Sequence, residues 1–190
     1  MHSGRTIVRI DSEQGNLRMP FPTYRFRAVT SADLPLLREW LWRSHVREWW
    51  GDPASGLARI AEHIRDPAID PFMVECDAAP IGYIQSWDPH GQPDHPCRDQ
   101  PPGTRGIDQF IGEPKLLGQG HGTAFIRLFV ESLLEVGAPR VITDPNPRNS
   151  RAIRAYAKAG FKAIDRRVTI SGEALLMARD ALPPEALVSL

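Results

Sequence analysis

The chain has 190 residues, 42% hydrophobic and 24% charged, which suits one folded domain with a sizeable core. Its formal net charge is zero, so nothing global suggests nucleic acid as a partner, and no apolar run approaches the length that crosses a membrane. Arg5, Arg9, Asp11, Glu13 and Arg18 break up the apolar stretch a signal peptide needs, and Cys76 and Cys97 show neither metal-ligand spacing nor a disulfide framework, so a cytoplasmic protein is expected.

Residues 1–22 read as an irregular N-terminal arm, with a short strand over 6–10, ending in Pro20-Phe21-Pro22. Tyr24, Phe26 and Ala28 alternate with Arg25, Arg27 and Val29, which predicts a first strand. Thr30 or Ser31 suits an N-cap with Asp33 in the first turn, and Leu34, Leu37, Trp40 and Leu41 follow at helical spacing. A second helix is expected over about 53–64. A strand over 72–76, a turn at Ala78-Ala79-Pro80 and a returning strand over 81–87 follow. Residues 88–102 form a loop rich in proline and glycine, longer than a simple hairpin needs, which marks it as functional or mobile. A strand over 105–111 leads to a glycine-rich turn and a helix over about 121–136, whose apolar residues include Phe125, Ile126, Phe129 and Leu133 and which Gly137 ends. A short strand over 140–143, a helix capped by Asn149 and ended by Gly160, and an antiparallel pair over 161–164 and 168–177 complete the order, with Ser171-Gly172 in or near its turn. That order predicts a mixed α/β (α+β) sheet in one domain over 23–180, with a tail over 181–190.

Charge is balanced overall but not locally. Residues 66–113 hold nine acids against two bases, and residues 140–167 hold eight bases against two acids. Two surfaces of opposite sign suit two ligands of opposite sign, or solvated faces that differ only in charge.

The turn Gly118-Gln119-Gly120-His121-Gly122-Thr123 lies between a strand and an amphipathic helix. A phosphate needs several backbone N–H groups aimed at one spot, and glycines remove the side chains that would block its approach. The helix that follows adds its free amides and the positive end of its dipole. By itself the run also suits a tight turn with no ligand. It is neither a dinucleotide fingerprint nor a P-loop, because the third glycine comes too soon and no Lys-Ser/Thr follows. Downstream, Asn149, Ala152, Ile153 and Tyr156 fall on one helical face, where Asn149 and Tyr156 reach either a ligand or the core.

Together the two constellations resemble the GNAT superfamily of acyl-CoA-dependent N-acyltransferases, over roughly 72–161. The family's pattern of Arg or Gln, two residues, Gly, one residue, Gly falls on Leu117, Gly120 and Gly122, with Leu117 as the departure. Its downstream Asn, Ala, Tyr and Gly-Phe fall on Asn149, Ala152, Tyr156, Gly160 and Phe161. Within the superfamily, the stretches 43–51, 80–87, 105–110 and 143–145 are similar to the aminoglycoside 6′-N-acetyltransferases. Siderophore-type lysine N-acyltransferases share the first and last of them. The resemblance implies a GNAT-type mixed, mostly antiparallel sheet flanked by about four helices. It also implies acetyl-CoA as co-substrate, bound by Gln109, Phe110, Ile111, Leu117, Gly118, Gln119, Gly120, His121, Gly122, Thr123, Asn149, Ala152, Tyr156 and Lys158.

The reaction so implied is transfer of an acetyl group to an amine of an aminoglycoside, the 6′-amine, by direct attack on the thioester. An amine that is protonated at pH 7 must lose a proton to attack, and Asp108 is the candidate base, acting also as an electrostatic anchor. Tyr156 is the candidate acid for the departing thiolate, and the amides of residues 109–111 are candidates to polarise the carbonyl. Asp94, Asp108 and Asp144 align with acidic positions that meet the polycationic acceptor, Trp50 with an aromatic against the sugar, and Gln85 and Trp87 share one side of a strand. The pattern departs at His95-Pro96-Cys97, where the relatives carry further tryptophans. The histidines show no metal spacing and no metal is expected. Arg148, Arg151, Arg154 and Lys158 form a basic face suited to the 3′-phosphate of CoA. Two other readings stay open: an N-acyltransferase for a lysine-derived or other small polyamine metabolite, and a non-catalytic acyl-CoA-binding domain. As an enzyme the chain is expected to be a monomer or homodimer.

Overall fold

Phe26 is the one buried residue of strand β1 (Tyr24–Ala28), whose neighbours Arg25 and Arg27 turn away from it as alternation requires. The computed structural model describes residues 22–91, 94–169 and 172–182. The strand expected over 6–10, nearly all of the N-terminal arm, Ser171 and the tail beyond residue 182 lie outside the described residues. Strands β2 (Ile69–Cys76), β3 (Ala79–Trp87), β4 (Arg105–Ile111), β5 (Arg140–Thr143), β6 (Lys162–Thr169) and β7 (Gly172–Asp180) join β1 in one sheet. Their order is β1-β2-β3-β4-β5-β7-β6. β1/β2, β5/β7 and β6/β7 pair antiparallel, and β4/β5 pair parallel. The helices are α1 (Leu34–Trp42), α2 (Ser44–Trp50), α3 (Pro53–His63), α4 (His121–Glu135) and α5 (Ser150–Lys158). Among the described residues no helix is long and apolar enough to cross a membrane.

The chain divides into two compact units. One runs to Gln85 and takes in Gln109–Leu117; the other takes in Ser86–Asp108 and runs on from Gly118. In the first unit Leu37, Trp40 and Leu41 of α1 pack with Val46 of α2, Ile60 of α3, Met73, Tyr83 and Phe110. The helices start where capping chemistry allows. Thr30 and Asp33 bond each other ahead of α1, and Asp52 accepts the Ser55 amide (2.8 Å) ahead of α3, whose first residue is Pro53. In the second unit Phe125, Ile126, Phe129 and Val130 form the buried face of α4, and Val141, Ile142, Leu176 and Met177 are buried in β5 and β7.

Three local details differ from the sequence expectation. Helix α2 was not foreseen. Arg43 takes an extended conformation that ends α1, and a new helix starts at Ser44, so the described residues hold five α-helices where about four were expected. β2 begins three residues earlier than Phe72 because Pro71, which has no N–H to give, offers its carbonyl to the Val29 amide (3.0 Å). The β2–β3 turn is Asp77-Ala78, with φ of 49° and 66°, and Pro80 falls inside β3. Two consecutive positive φ values are what a two-residue hairpin turn of matching twist requires, and Asp77 is held by accepting the Thr23 amide (3.0 Å).

Gly112 is a packing constraint on the first core. A Cβ there would lie 2.0 Å from the ring of the buried Trp40. Gly112→Ala is expected to destabilise the protein by about 2 kcal/mol through overpacking, read as a lower urea midpoint with an unchanged slope.

Candidate active site

Parallel pairing of β4 with β5 matches Arg105 to Val141 and Gly106 to Ile142. Two residues further along each chain stand Asp108, within β4, and Asp144, just past the end of β5. The two carboxylates feel each other. Burial first, and then the charge of Asp108, push the Asp144 carboxyl from an ordinary 3.8 up to about 7. At neutral pH the pair therefore holds a proton that two solvated aspartates would have lost, and a cation set against them would release it.

Trp87, the last residue of β3, is buried and donates its indole N–H to Asp108 Oδ2 (2.9 Å). The indole can lie there only because residue 106 has no side chain: a Cβ on Gly106 would meet the Trp87 ring at 2.2 Å. Arg105, on the opposite side of β4, donates instead to Ser86 Oγ (2.9 Å). Asp94 is exposed in the loop that follows Trp87.

The glycine turn has the backbone that a phosphate cradle needs. Gly118 and Gly120 take φ of +75° and +91°, and a Cβ on either would meet nothing within 4 Å. Glycine is required there by the backbone angle rather than by crowding. Gly120 is the N-cap of α4 and supplies no capping side chain. The first helical bond runs from the Ala124 amide to the Gly120 carbonyl (3.0 Å), so the amides of His121, Gly122 and Thr123 lie ahead of it at the positive end of a fifteen-residue helix. These donors fit a pyrophosphate. On α5, Asn149 Oδ1 accepts the Ala152 amide (3.1 Å), so it is a cap as expected. Tyr156 is buried, edge-on to Phe161 with ring centroids 5.5 Å apart. Arg148, Arg151, Arg154 and Lys158 are all exposed.

Trp50, Gln85, Gln109, Phe110, Ile111 and Leu117 belong to the first unit. Half-buried Trp50 sits edge-on to Phe110 (4.9 Å) and to Tyr83 (5.7 Å). Gln85 Oε1 accepts from the Tyr83 hydroxyl (2.6 Å) and from His63 Nδ1 (3.0 Å), which ties it into the core. The Phe110 ring is buried and stacks on Tyr83. The Ile111 carbonyl accepts from His45 Nε2 (2.9 Å), and Leu117 ends the short 3₁₀ turn Pro114–Leu116. Among the described residues no group of three or more His, Cys, Asp or Glu could hold a metal ion.

Comparison with known proteins decides the family. A model of the GNAT acetyltransferase domain matches residues 29–168. The chain belongs to the GNAT acetyltransferase family. It is 38% identical over 162 residues to an aminoglycoside N(6′)-acetyltransferase type 1 of Klebsiella pneumoniae, covering 80% of this chain and 81% of the relative. Among solved structures it resembles aminoglycoside acetyltransferase AAC(6′)-Ib in complex with coenzyme A and kanamycin, with a TM-score of 0.76 and 36% identity over 83% of this chain and 95% of the other. The same enzyme in complex with paromomycin and acetyl-CoA matches with a TM-score of 0.77 and 34% identity, over 88% and 97% of the two chains. The mixed, mostly antiparallel sheet expected from the sequence is thus the fold of a GNAT acetyltransferase.

Two further residues of this GNAT protein had no site role from the sequence. The His95 ring lies tilted against Trp87, and Arg167 reaches the loop that carries His95. The unspaced histidine gave no motif, and Arg167 lies on the last hairpin, outside the stretches that carry the resemblance. The elevated Asp144 pKa has a sign that can be tested. Between about pH 4 and 7 the folded state keeps a proton that the unfolded chain loses, so this carboxyl's contribution to stability falls as pH rises through that window. Asp144→Asn removes the effect. The melting temperature of the variant relative to wild type is expected to be higher at pH 8 than at pH 5, as measured by differential scanning fluorimetry.

Proposed function

We propose that this chain transfers the acetyl group of acetyl-CoA to the 6′-amine of an aminoglycoside. The observation that carries the reading is the acid pair at the ends of β4 and β5, with Trp87 bonded to one of its carboxylates. A half-buried pair of carboxylates attracts a polycation, and its retained proton makes the cost of leaving the pair empty small. Relatives whose names and ligands are those of aminoglycoside acetyltransferases support the same substrate class.

Acetyl-CoA supplies an acetyl thioester. Residues 118–123 would hold its pyrophosphate through backbone amides, and the exposed bases of α5 suit its 3′-phosphate. Asp108 takes the proton from the acceptor's ammonium group, which frees the nitrogen lone pair. The nitrogen then forms a bond to the acetyl carbon as the carbon–sulfur bond breaks, and the nitrogen releases its second proton to solvent, from which Tyr156 recovers the proton it gives to the sulfur. Tyr156 offers a proton to the departing sulfur. Asp144 and Asp94 bind other ammonium groups of the acceptor, and Trp87 contacts the sugar. The Trp87 indole keeps Asp108 oriented through its N–H. A cytoplasmic monomer or homodimer belongs to the same proposal, and light scattering on the purified protein separates the two states.

Acetyl-CoA at a hundred times its Kd is expected to stabilise the protein by about 2.7 kcal/mol, a rise in melting temperature that an acetyl-CoA-independent fold would lack. Thiol release with kanamycin or tobramycin is the direct test; turnover with lysine derivatives alone would replace the aminoglycoside by that class. Asp108→Asn is expected to lower kcat/KM for the acceptor by about 100-fold or more, and an unchanged kcat/KM would remove Asp108 as the base.

A further inference from the structure

The loop between β3 and β4 returns to the acid pair. The His95 ring lies 4.6 Å, centroid to centroid, from the Trp87 ring, tilted by 41°. It is close enough to Asp108 for that carboxylate's charge to act on it, against a burial that favours the neutral ring. Its Nδ1 accepts the backbone N–H of Cys97 (3.1 Å), so the ring proton sits on Nε2. The imidazole is therefore a neutral, flat ring with its donor on Nε2, set beside Trp87 and within range of the Asp108 charge.

Its position is held from the opposite side of the loop. Arg167 of β6 bonds the Asp99 carboxylate with both terminal nitrogens (2.7 and 2.6 Å), the Asp165 carboxylate through Nε (3.2 Å) and the Pro96 carbonyl through Nη1. Asp99 is drawn well below the usual carboxylate range by this guanidinium. Arg140 of β5 donates to Gln100 Oε1 (3.1 Å), and Cys97 is buried between these anchors in sequence. A planar, bidentate clamp on Asp99 together with a bond to the Pro96 carbonyl ties down the stretch that follows the histidine.

We propose that His95 is a further acceptor-binding residue, whose ring extends the Trp87 surface against the sugar beside Asp108, and that Arg167 is the positioning residue that holds it there. The inference rests on the aminoglycoside reading above. A neutral ring gives the acceptor apolar area and a hydrogen-bond donor without competing with its ammonium groups for the two carboxylates. A lysine in the same place would satisfy Asp108 itself. Arg167 brings a positive charge into the loop, but that charge is spent on Asp99 and Asp165, so it holds the loop without repelling the acceptor.

The test is steady-state thiol release with kanamycin and acetyl-CoA for the wild type, H95A, H95F, R167Q and the H95A/R167Q double variant. H95A is expected to raise the KM for kanamycin about fivefold, the loss of one ring contact, with the KM for acetyl-CoA unchanged. H95F keeps the ring and is expected to recover most of that loss. R167Q is expected to raise the kanamycin KM in the wild-type background and to add little in the H95A background, because it acts through the histidine. A kanamycin KM unchanged in H95A, or a parallel rise in the acetyl-CoA KM, overturns the role of His95. An R167Q effect that is undiminished in H95A overturns the role of Arg167. Wild-type protein whose thiol release is not raised by kanamycin overturns the acceptor reading itself, which is a different result from a working enzyme indifferent to His95.

Discussion

Parallel pairing of β4 and β5 over Arg105–Gly106 and Val141–Ile142 is the constraint on which the acceptor side depends. It brings two strands that are far apart in sequence side by side, and Asp108 and Asp144 with them come close enough for the charge of one to act on the other. Burial first, and then the charge of Asp108, lift the Asp144 carboxyl to about 7. The fold carries that electrostatic strain because the strands are fixed by other bonds. β5 is paired on its other side with β7 over four residues, and Arg140 and Asp180 form an ion pair at that edge. The site is thus a pair of acids that the sheet holds together and a cation would relax.

The same unit, Ser86–Asp108 and the chain from Gly118, contains both the acid pair and the glycine turn. Gly106 lets the Trp87 indole lie against β4, and the indole bonds Asp108. Gly118 and Gly120 bend the chain with positive φ, and α4 begins without a side-chain cap. Glycine does different work in the two places. At residue 106 it makes room for a ring that is already there, whereas at 118 and 120 it supplies a backbone angle in open space. Function follows from the pairing of a donor-rich turn for an anion with an acid-rich strand end for a cation, the division that the local charge imbalance of the sequence suggested.

Legibility varied with the range of the interactions involved. The caps at Thr30, Asn149 and Gly137, the amphipathic α4 and the glycine turn were readable because each is set by residues within a few positions of one another. The β2–β3 turn was misplaced by one residue, since Pro80 reads as a turn former although the hairpin put the positive φ values on Asp77 and Ala78. Helix α2 was missed because Arg43 ends one helix without proline or glycine to announce it. Gln85 shows the limit for side chains. Its alternation with Trp87 pointed to a shared surface, yet its oxygen is taken up by Tyr83 and His63.

By itself the sequence determined the family, the acyl-donor turn, the α5 cap and the identity of Asp108 as the acid to watch, because these rest on short spacings that local backbone geometry enforces. Only the tertiary structure decided that Asp144 keeps a proton near neutral pH, that the Trp87 indole bonds Asp108, and that His95 stands beside them under the clamp of Arg167. Those facts depend on strand register and on contacts between residues up to 71 positions apart. Burial and charge proximity at such separations exist only once the sheet has formed, so no local pattern can encode them visibly.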